Sequence, residues 1–325
     1  MVKNNKKHFD VFNGDADGII SLIQLRLAEP KDSVLITGVK RDIQLIEKID
    51  LSRAQSMTVL DISMEKNVTA LEQALAQGIA TFYVDHHRSG EIPTHQNLTP
   101  IINTDANTCT ALLVNEYLKG QYANWAVAAA FGDNMTASAI ALSNQIGLSE
   151  IQQQQLSALG TYINYNGYGQ AVEDLHFHPA ELFKALLAYS DPFDLILDED
   201  SIFSTLERAY HEDMKQAQHS EILVDNEAIK VVLLDDAPWS RRVSGVFGNE
   251  LANESPDKAH GVLTYNRDGE SYTVSVRAPL KNKQGADEVC IQFATGGGRS
   301  GAAGINKLPL DQREQFISTL FNYYN

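Results

Sequence analysis

Asp85, His86 and His87 stand side by side at the end of an apolar run, Ile79-Ala80-Thr81-Phe82-Tyr83-Val84. An acid and two imidazoles where a buried strand stops form the donor set of a metal site. Carboxylate oxygen and imidazole nitrogen suit Mn2+, Fe2+ or Zn2+. Other acids recur in comparable places. Asp15 lies in the turn Asn13-Gly14-Asp15-Ala16-Asp17-Gly18, Asp61 follows the run Met57-Thr58-Val59-Leu60, and Asp133 follows an alanine-rich stretch at 125–131. Alone, each has a plainer reading: Asp17 as the cap of the helix that follows, Asp133 as a helix-terminal acid. A different constellation closes the chain, Gly296-Gly297-Gly298-Arg299-Ser300-Gly301-Ala302-Ala303-Gly304. Unobstructed backbone N–H groups in such a loop cradle an anion, and the forked, permanently charged Arg299 suits phosphate. Arg277, leaving an apolar strand, converges on the same chemistry. By contrast, His176 and His178 alternate without further ligands nearby and read as capping and packing residues.

The elements that position these groups follow from apolar spacing. Segments 8–12, 33–37, 57–60 and 79–84 read as strands, with helices at 19–27, 43–49 and 67–76. This alternation predicts an α/β fold with a parallel, doubly wound sheet, whose ligands collect at the carboxyl ends of its strands. Asp15, Asp61 and the Asp85-His86-His87 turn all fall at such ends. A short strand at 100–103 and a helix from Thr108 follow; 145–220 is mostly helical, and a helix at 204–223 joins two domains. The second domain reads as a strand at 229–234, a helix at 240–251, a hairpin of 259–265 with 271–277 about Asn266-Arg267-Asp268-Gly269, and a last helix at 310–323. The expected domains are 1–190 for metal binding, 191–224 as helical linker and 225–325 for substrate binding.

Composition narrows the function. The 325 residues carry a formal net charge of −16. Residues 1–224 hold 15 Lys and Arg against 29 Asp and Glu, a balance of −14, while 225–325 hold 11 against 13, a balance of −2. No basic stripe exists for long duplex nucleic acid, which would demand many neutralised phosphates. A short anionic substrate held by a metal and a few arginines fits better. No apolar run approaches the ~20 residues of a membrane span, and the two cysteines read as reduced, buried thiols of a cytoplasmic protein. The sequence is compatible with an oligomer.

The ordered set of motifs resembles the DHH phosphoesterase superfamily, in the arm with the DHH-associated C-terminal domain that includes nanoRNases, cyclic-dinucleotide phosphodiesterases and RecJ-type exonucleases. Asn13 to Gly18 is similar to the first motif, Asp61 to the second, Asp85-His86-His87 to the third, Asp133 to the fourth and Gly296 to Gly304 to the C-terminal glycine motif. The resemblance implies a two-Mn2+ centre in a cleft between the domains. Asp15, Asp61, His86 and Asp133 would form one site, with Asp61 bridging to the other and Asn13 offering an amide oxygen. Asp85 would orient a ligating histidine, and His87 would lie at the substrate phosphate. Arg277, Gly296, Gly297, Gly298 and Arg299 would hold the terminal nucleotide or phosphate. The implied activity is metal-dependent hydrolysis of phosphodiester or phosphomonoester bonds in short oligonucleotides or small nucleotides. Three positions depart from the pattern: Asn13 stands for an Asp, Phe9 for a His, and Arg299 for a His. The first two remove charge and a ligand from one metal position, which implies one tight and one weak ion, or a single ion. The alternative is a nucleotide- or phosphate-binding protein with a degraded metal centre and little hydrolysis.

Overall fold

The computed structural model describes residues 6–325. The chain divides into two compact units, 1–208 and 209–325. In the first, β1 (Lys7–Phe12), α1 (Ala16–Ala28), β2 (Ser33–Ile36), β3 (Ala54–Leu60), α2 (Met64–Ala76), β4 (Ala80–Asp85) and β5 (Leu98–Ile102) build a sheet flanked by helices. Its order is β2-β1-β3-β4-β5, with every neighbouring pair parallel. The order reverses between β1 and β3, so the crevice of this sheet opens where their carboxyl ends part. Residues expected to form a helix at 43–49 make only a short 3-10 turn at Ile46–Lys48. Asn67 explains this: its side chain accepts from the Ile46 N–H at 3.3 Å and donates to the Ile43 carbonyl at 2.7 Å, satisfying backbone groups that a helix would pair internally.

Helices follow: α3 (Thr110–Tyr117), α4 (Ala123–Gly132), α5 (Thr136–Gln145), α6 (Glu150–Gly167), α7 (Pro179–Leu187), α8 (Pro192–Leu197) and α9 (Ile202–Ala217). Small residues let α4 sit very close to α6: a Cβ on Gly160 would lie 1.9 Å from the Ala128 carbonyl oxygen. Helix α1 is buried on all sides from Ala16 to Arg26. Its one charged couple is satisfied internally, with Arg26 Nε 2.9 Å from Asp10 Oδ2 and Nη2 2.5 Å from Oδ1. His178 accepts from the Ala180 N–H at the start of α7, and His176 Nε2 lies 2.8 Å from the Tyr165 hydroxyl, the capping and packing roles expected of them.

The second unit begins within α9, which ends at Ala217, short of the expected 223. Leu223 lies in β6 (Glu221–Asp225). Then come β7 (Ile229–Leu234), α10 (Pro238–Glu254), β8 (Ala259–Tyr265), β9 (Ser271–Arg277), α11 (Ala286–Cys290), β10 (Gly296–Arg299), β11 (Ala302–Pro309) and α12 (Arg313–Tyr324). They form a mixed sheet ordered β10-β11-β9-β8-β7-β6. Strands β7 and β8, joined through α10, are parallel, whereas β8 and β9 form the antiparallel hairpin. Val231, Leu263, Val274, Ile305, Phe316 and Leu320 meet in its core. Among the described residues no helix is long and apolar enough to cross a membrane.

Candidate metal centre

The turn after β1 delivers Asp15 as the cap of α1, its Oδ1 accepting from the Gly18 N–H at 3.0 Å. Asp17 therefore does not cap its own helix. It reaches across to α3 and accepts from the N–H groups of Thr110 and Ala111 at 2.8 and 2.7 Å. Asp61 leaves β3 with φ of 58°, a left-handed conformation unusual for a residue with a side chain. That strain of order 1 kcal/mol is held because the Asp61 N–H donates to the Val84 carbonyl and its Oδ1 accepts from the Thr110 hydroxyl. Held outliers of this kind cluster at functional sites.

His86 is the hub. Its Nδ1 lies 2.9 Å from the Thr108 carbonyl. A carbonyl can only accept, so Nδ1 carries the proton and the Nε2 lone pair points elsewhere. That Nε2 faces Asp61 Oδ1 at 3.5 Å, Asp17 Oδ2 at 3.8 Å and Asp133 Oδ2 at 3.9 Å. Three carboxylate oxygens and an imidazole lone pair cannot bond one another, and their spacing suits bonds of about 2.0–2.2 Å to a shared cation. Asp61, His86 and His87 also bring ligand atoms within 4.8 Å of one another. Burial pushes the Asp61 carboxyl well above the usual carboxylate range, and Asp17, Asp15, Asp85 and Asp133 push it further. Burial likewise raises Asp17, with Asp133 and Asp15 adding. The set fits a divalent cation: the donors are buried carboxylate oxygens and an imidazole nitrogen.

Asp85 is fully buried and pairs with His87, Oδ1 to Nδ1 at 2.8 Å. It thus orients His87, not the hub His86, whose orientation comes from Thr108. The His87 side chain is 38% exposed against 3% for His86, so His87 is the imidazole of the pair that solvent or a ligand can reach. Asp133 follows α4, which carries it beside α1. Asn13 is buried, and its Nδ2 donates to the Lys40 carbonyl at 3.2 Å. Its Oδ1 has no hydrogen-bond partner among the described residues.

Residues 10–143 match the model of the DHH family, N-terminal domain. This segment belongs to the DHH family. In fold, the chain is similar to an exonuclease RecJ bound to manganese, at 15% identity over 99% of this chain and 90% of that one, with a TM-score of 0.60. RecJ of Thermus thermophilus in complex with Mn2+ gives 16% identity, 99% and 52% coverage, and a TM-score of 0.62. The pGpG-specific phosphodiesterase PggH of Vibrio cholerae gives 15% identity, 98% coverage of both chains and a TM-score of 0.53. No curated protein matches by sequence.

Two members of this cluster take no ligand role from the sequence. Asp17 is one; it lies within the first motif, Asn13 to Gly18, where its plain reading is a helix cap. Lys40, beyond β2, is the other. Its backbone N–H donates to the Gly167 carbonyl at 2.8 Å, and its ammonium lies 2.6 Å from Asp15 Oδ2 and 3.6 Å from Asp133 Oδ1. Although burial opposes charge on both, Lys40 holds Asp15 below the usual range, and Asp15 raises Lys40 well above its own.

In the second unit the glycine run is not a loop. Gly296–Arg299 forms β10, an edge strand paired with β11. A Cβ on Gly296 would lie 1.7 Å from the Cys290 carbonyl oxygen, and one on Gly298 2.4 Å from Ala303 Cα, while Gly297 faces open space. Close packing thus accounts for two of the three glycines. Arg299 is exposed. The Arg277 guanidinium is engaged with α10 and its own strand: it donates to Asn249 Oδ1 at 2.6 Å, the Gly245 carbonyl at 3.0 Å and the Val276 carbonyl at 3.1 Å. These bonds give Arg277 a structural task in the second unit.

Proposed function

We propose that this protein is a metal-dependent phosphoesterase that hydrolyses short oligonucleotides or small nucleotides, with Mn2+ as its metal. The observation that carries the reading is the convergence of Asp17, Asp61 and Asp133 on the unprotonated nitrogen of His86 within a DHH domain. A divalent ion bound there supplies acidified water and offsets charge on the reacting phosphoryl group. Asp61, Asp17, His86 and Asp133 hold the ion. Thr108 and Thr110 fix the tautomer of His86 and the carboxylate of Asp61. His87, held by Asp85, would meet the phosphate and hand a proton to the leaving oxygen. In the second unit, Arg299 and the exposed Gly297 backbone are the groups offered to an anion. The acidic surface disfavours long duplexes. Two buried cysteines without a disulfide accord with a cytoplasmic protein.

The test is purified protein with Mn2+ and a panel of di- to pentanucleotides, cyclic dinucleotides and 3′,5′-bisphosphonucleosides. Turnover that vanishes in Asp61→Ala is expected. A panel on which nothing is turned over, or turnover indifferent to that substitution, would overturn the reading. The Lys40 ammonium against Asp15 favours a second reading, nucleotide or phosphate binding with little hydrolysis, because it occupies one expected metal ligand. Tight nucleotide binding without turnover would select it.

A further inference from the structure

Around the Lys40 ammonium the structure assembles what usually surrounds a metal. Asp15 Oδ2 lies at 2.6 Å, Asn164 Oδ1 at 3.2 Å and Asp133 Oδ1 at 3.6 Å. The ring of Tyr168 lies beneath it, 5.4 Å from the ammonium to the centroid. These groups come from separate parts of the first unit: the turn after β1, the end of α4, and the last turn of α6 with its flanking residue. Lys40 is held there from its backbone too, through Gly167 and through the Asn13 side chain on its carbonyl. The carboxylate of Asp133 is shared. Its Oδ1 turns to Lys40 and its Oδ2 to His86 Nε2. The centre therefore has two poles joined by one carboxylate. At one pole a neutral imidazole nitrogen and three carboxylates lack a cation. At the other a cation is already present, tethered to the chain.

We propose that Lys40 is a resident cation that fills one of two cation positions, so that the centre takes a single exchangeable divalent ion, at the His86 pole. This rests on the metal-centre reading above. A tethered ammonium neutralises Asp15 and one side of Asp133 without being lost to chelators or dilution. It cannot accept a lone pair, so Lewis-acid chemistry is confined to the other pole. The neutral side chain of Asn13 agrees with this: with one positive charge in place of two, a further carboxylate beside Lys40 would be left without compensation.

The test counts ions in the full chain. Metal-stripped protein is equilibrated with Mn2+, gel-filtered, and assayed by elemental analysis and electron paramagnetic resonance. One ion per chain with the six-line spectrum of isolated Mn2+ is expected. Lys40→Ala opens the second position and should bind two ions with the broadened spectrum of a coupled pair, whereas Lys40→Arg keeps the count at one. Two coupled ions in the wild-type protein would overturn the inference and leave the metal-centre reading standing. A Lys40→Ala protein that still binds one ion would overturn it as well. No ion in the wild-type protein would overturn the metal-centre reading and the inference with it. Should Lys40→Ala not fold, Lys40→Gln, which retains a hydrogen-bond donor, replaces it, and the wild-type count decides on its own.

Discussion

Asp61→Asn should make the metal-free protein more stable and the metal-loaded protein less so. Asp61 Oδ1 and Asp17 Oδ2 lie 3.5 and 3.8 Å from the same His86 nitrogen, so they are no more than 7.3 Å apart; for Asp133 Oδ2, at 3.9 Å, the bound is 7.4 Å. At an effective dielectric of about 20, each such pair of charges repels by at least about 2 kcal/mol. Lys40 and partial protonation of the cluster reduce the total, leaving a net relief of roughly 1–3 kcal/mol when Asp61 becomes neutral. In a unit of 208 residues that is about 3–10 °C in melting temperature. Asparagine is the right substitute because it tolerates the left-handed backbone at φ 58° and can still accept from the Thr110 hydroxyl. The sign also follows from protonation. A buried carboxyl whose folded pKa is raised binds protons more readily folded than unfolded, so the metal-free protein loses stability as pH rises through that window. The assay is thermal unfolding in EDTA and in Mn2+. Wild-type protein should gain about 2–3 kcal/mol at a hundredfold excess of Mn2+ over its dissociation constant, and the variant almost nothing, so the order of the two proteins inverts. A variant that melts below wild type in EDTA, or that keeps the full Mn2+ shift, would refute the account of the site as a charge cluster awaiting a cation.

Three further outcomes test other parts of the molecule. His260 is fully buried in β8, and burial, with Lys230 and Lys258 adding, lowers its pKa to about 4 while Asp225 pulls the other way. Between pH 6.5 and 4 the unfolded chain takes up a proton that the folded one refuses. The second unit should therefore lose about 2–3 kcal/mol as pH falls across that window, a slope that disappears in His260→Phe if pH-dependent urea unfolding reports it. Arg26→Leu should cost about 3–5 kcal/mol, because it strands Asp10, fully buried and, though burial opposes it, held down to about 2 chiefly by this arginine; a loss under 1 kcal/mol by urea titration would contradict that. Gly296→Ala should destabilise the second unit by at least about 2 kcal/mol through collision with Cys290, while Gly297→Ala leaves stability within about 0.5 kcal/mol. If β10 grips phosphate, Gly297→Ala should instead raise KM; equal melting losses for the two variants would discount the packing argument.

The parallel sheet was legible because its strands are continuous apolar runs, and Asp61 and Asp85 were legible because each interrupts such a run where a ligand must sit. Asp17 was not. Its partners Thr110 and Ala111 lie 93 and 94 residues away, and no local rule distinguishes an acid that caps its own helix from one that caps another. The same limit governs Asp85, whose partner is His87 and not His86: adjacent residues on a strand end point to different sides, and only the packed turn decides which imidazole turns to which oxygen. The glycine run, expected as a loop and found as strand β10, was not legible for a related reason. A sequence shows missing side chains but not what presses against the space they leave, here Cys290 and Ala303.

By itself, the chain's sequence determined where its strands end and which donor groups stand there, since hydrophobic burial depends on residue type and order alone. The tertiary structure decided which donors share an ion. It brought Asp133, just after α4, to His86 through the close seat of α4 on α6, and it drove Lys40 between Asp15 and Asp133. Those approaches join residues far apart in the chain, 47 positions for Asp133 and His86 and 93 for Asp133 and Lys40. Coulombic interactions in a buried site change by kilocalories over a few ångströms, and no pattern along the chain encodes such distances.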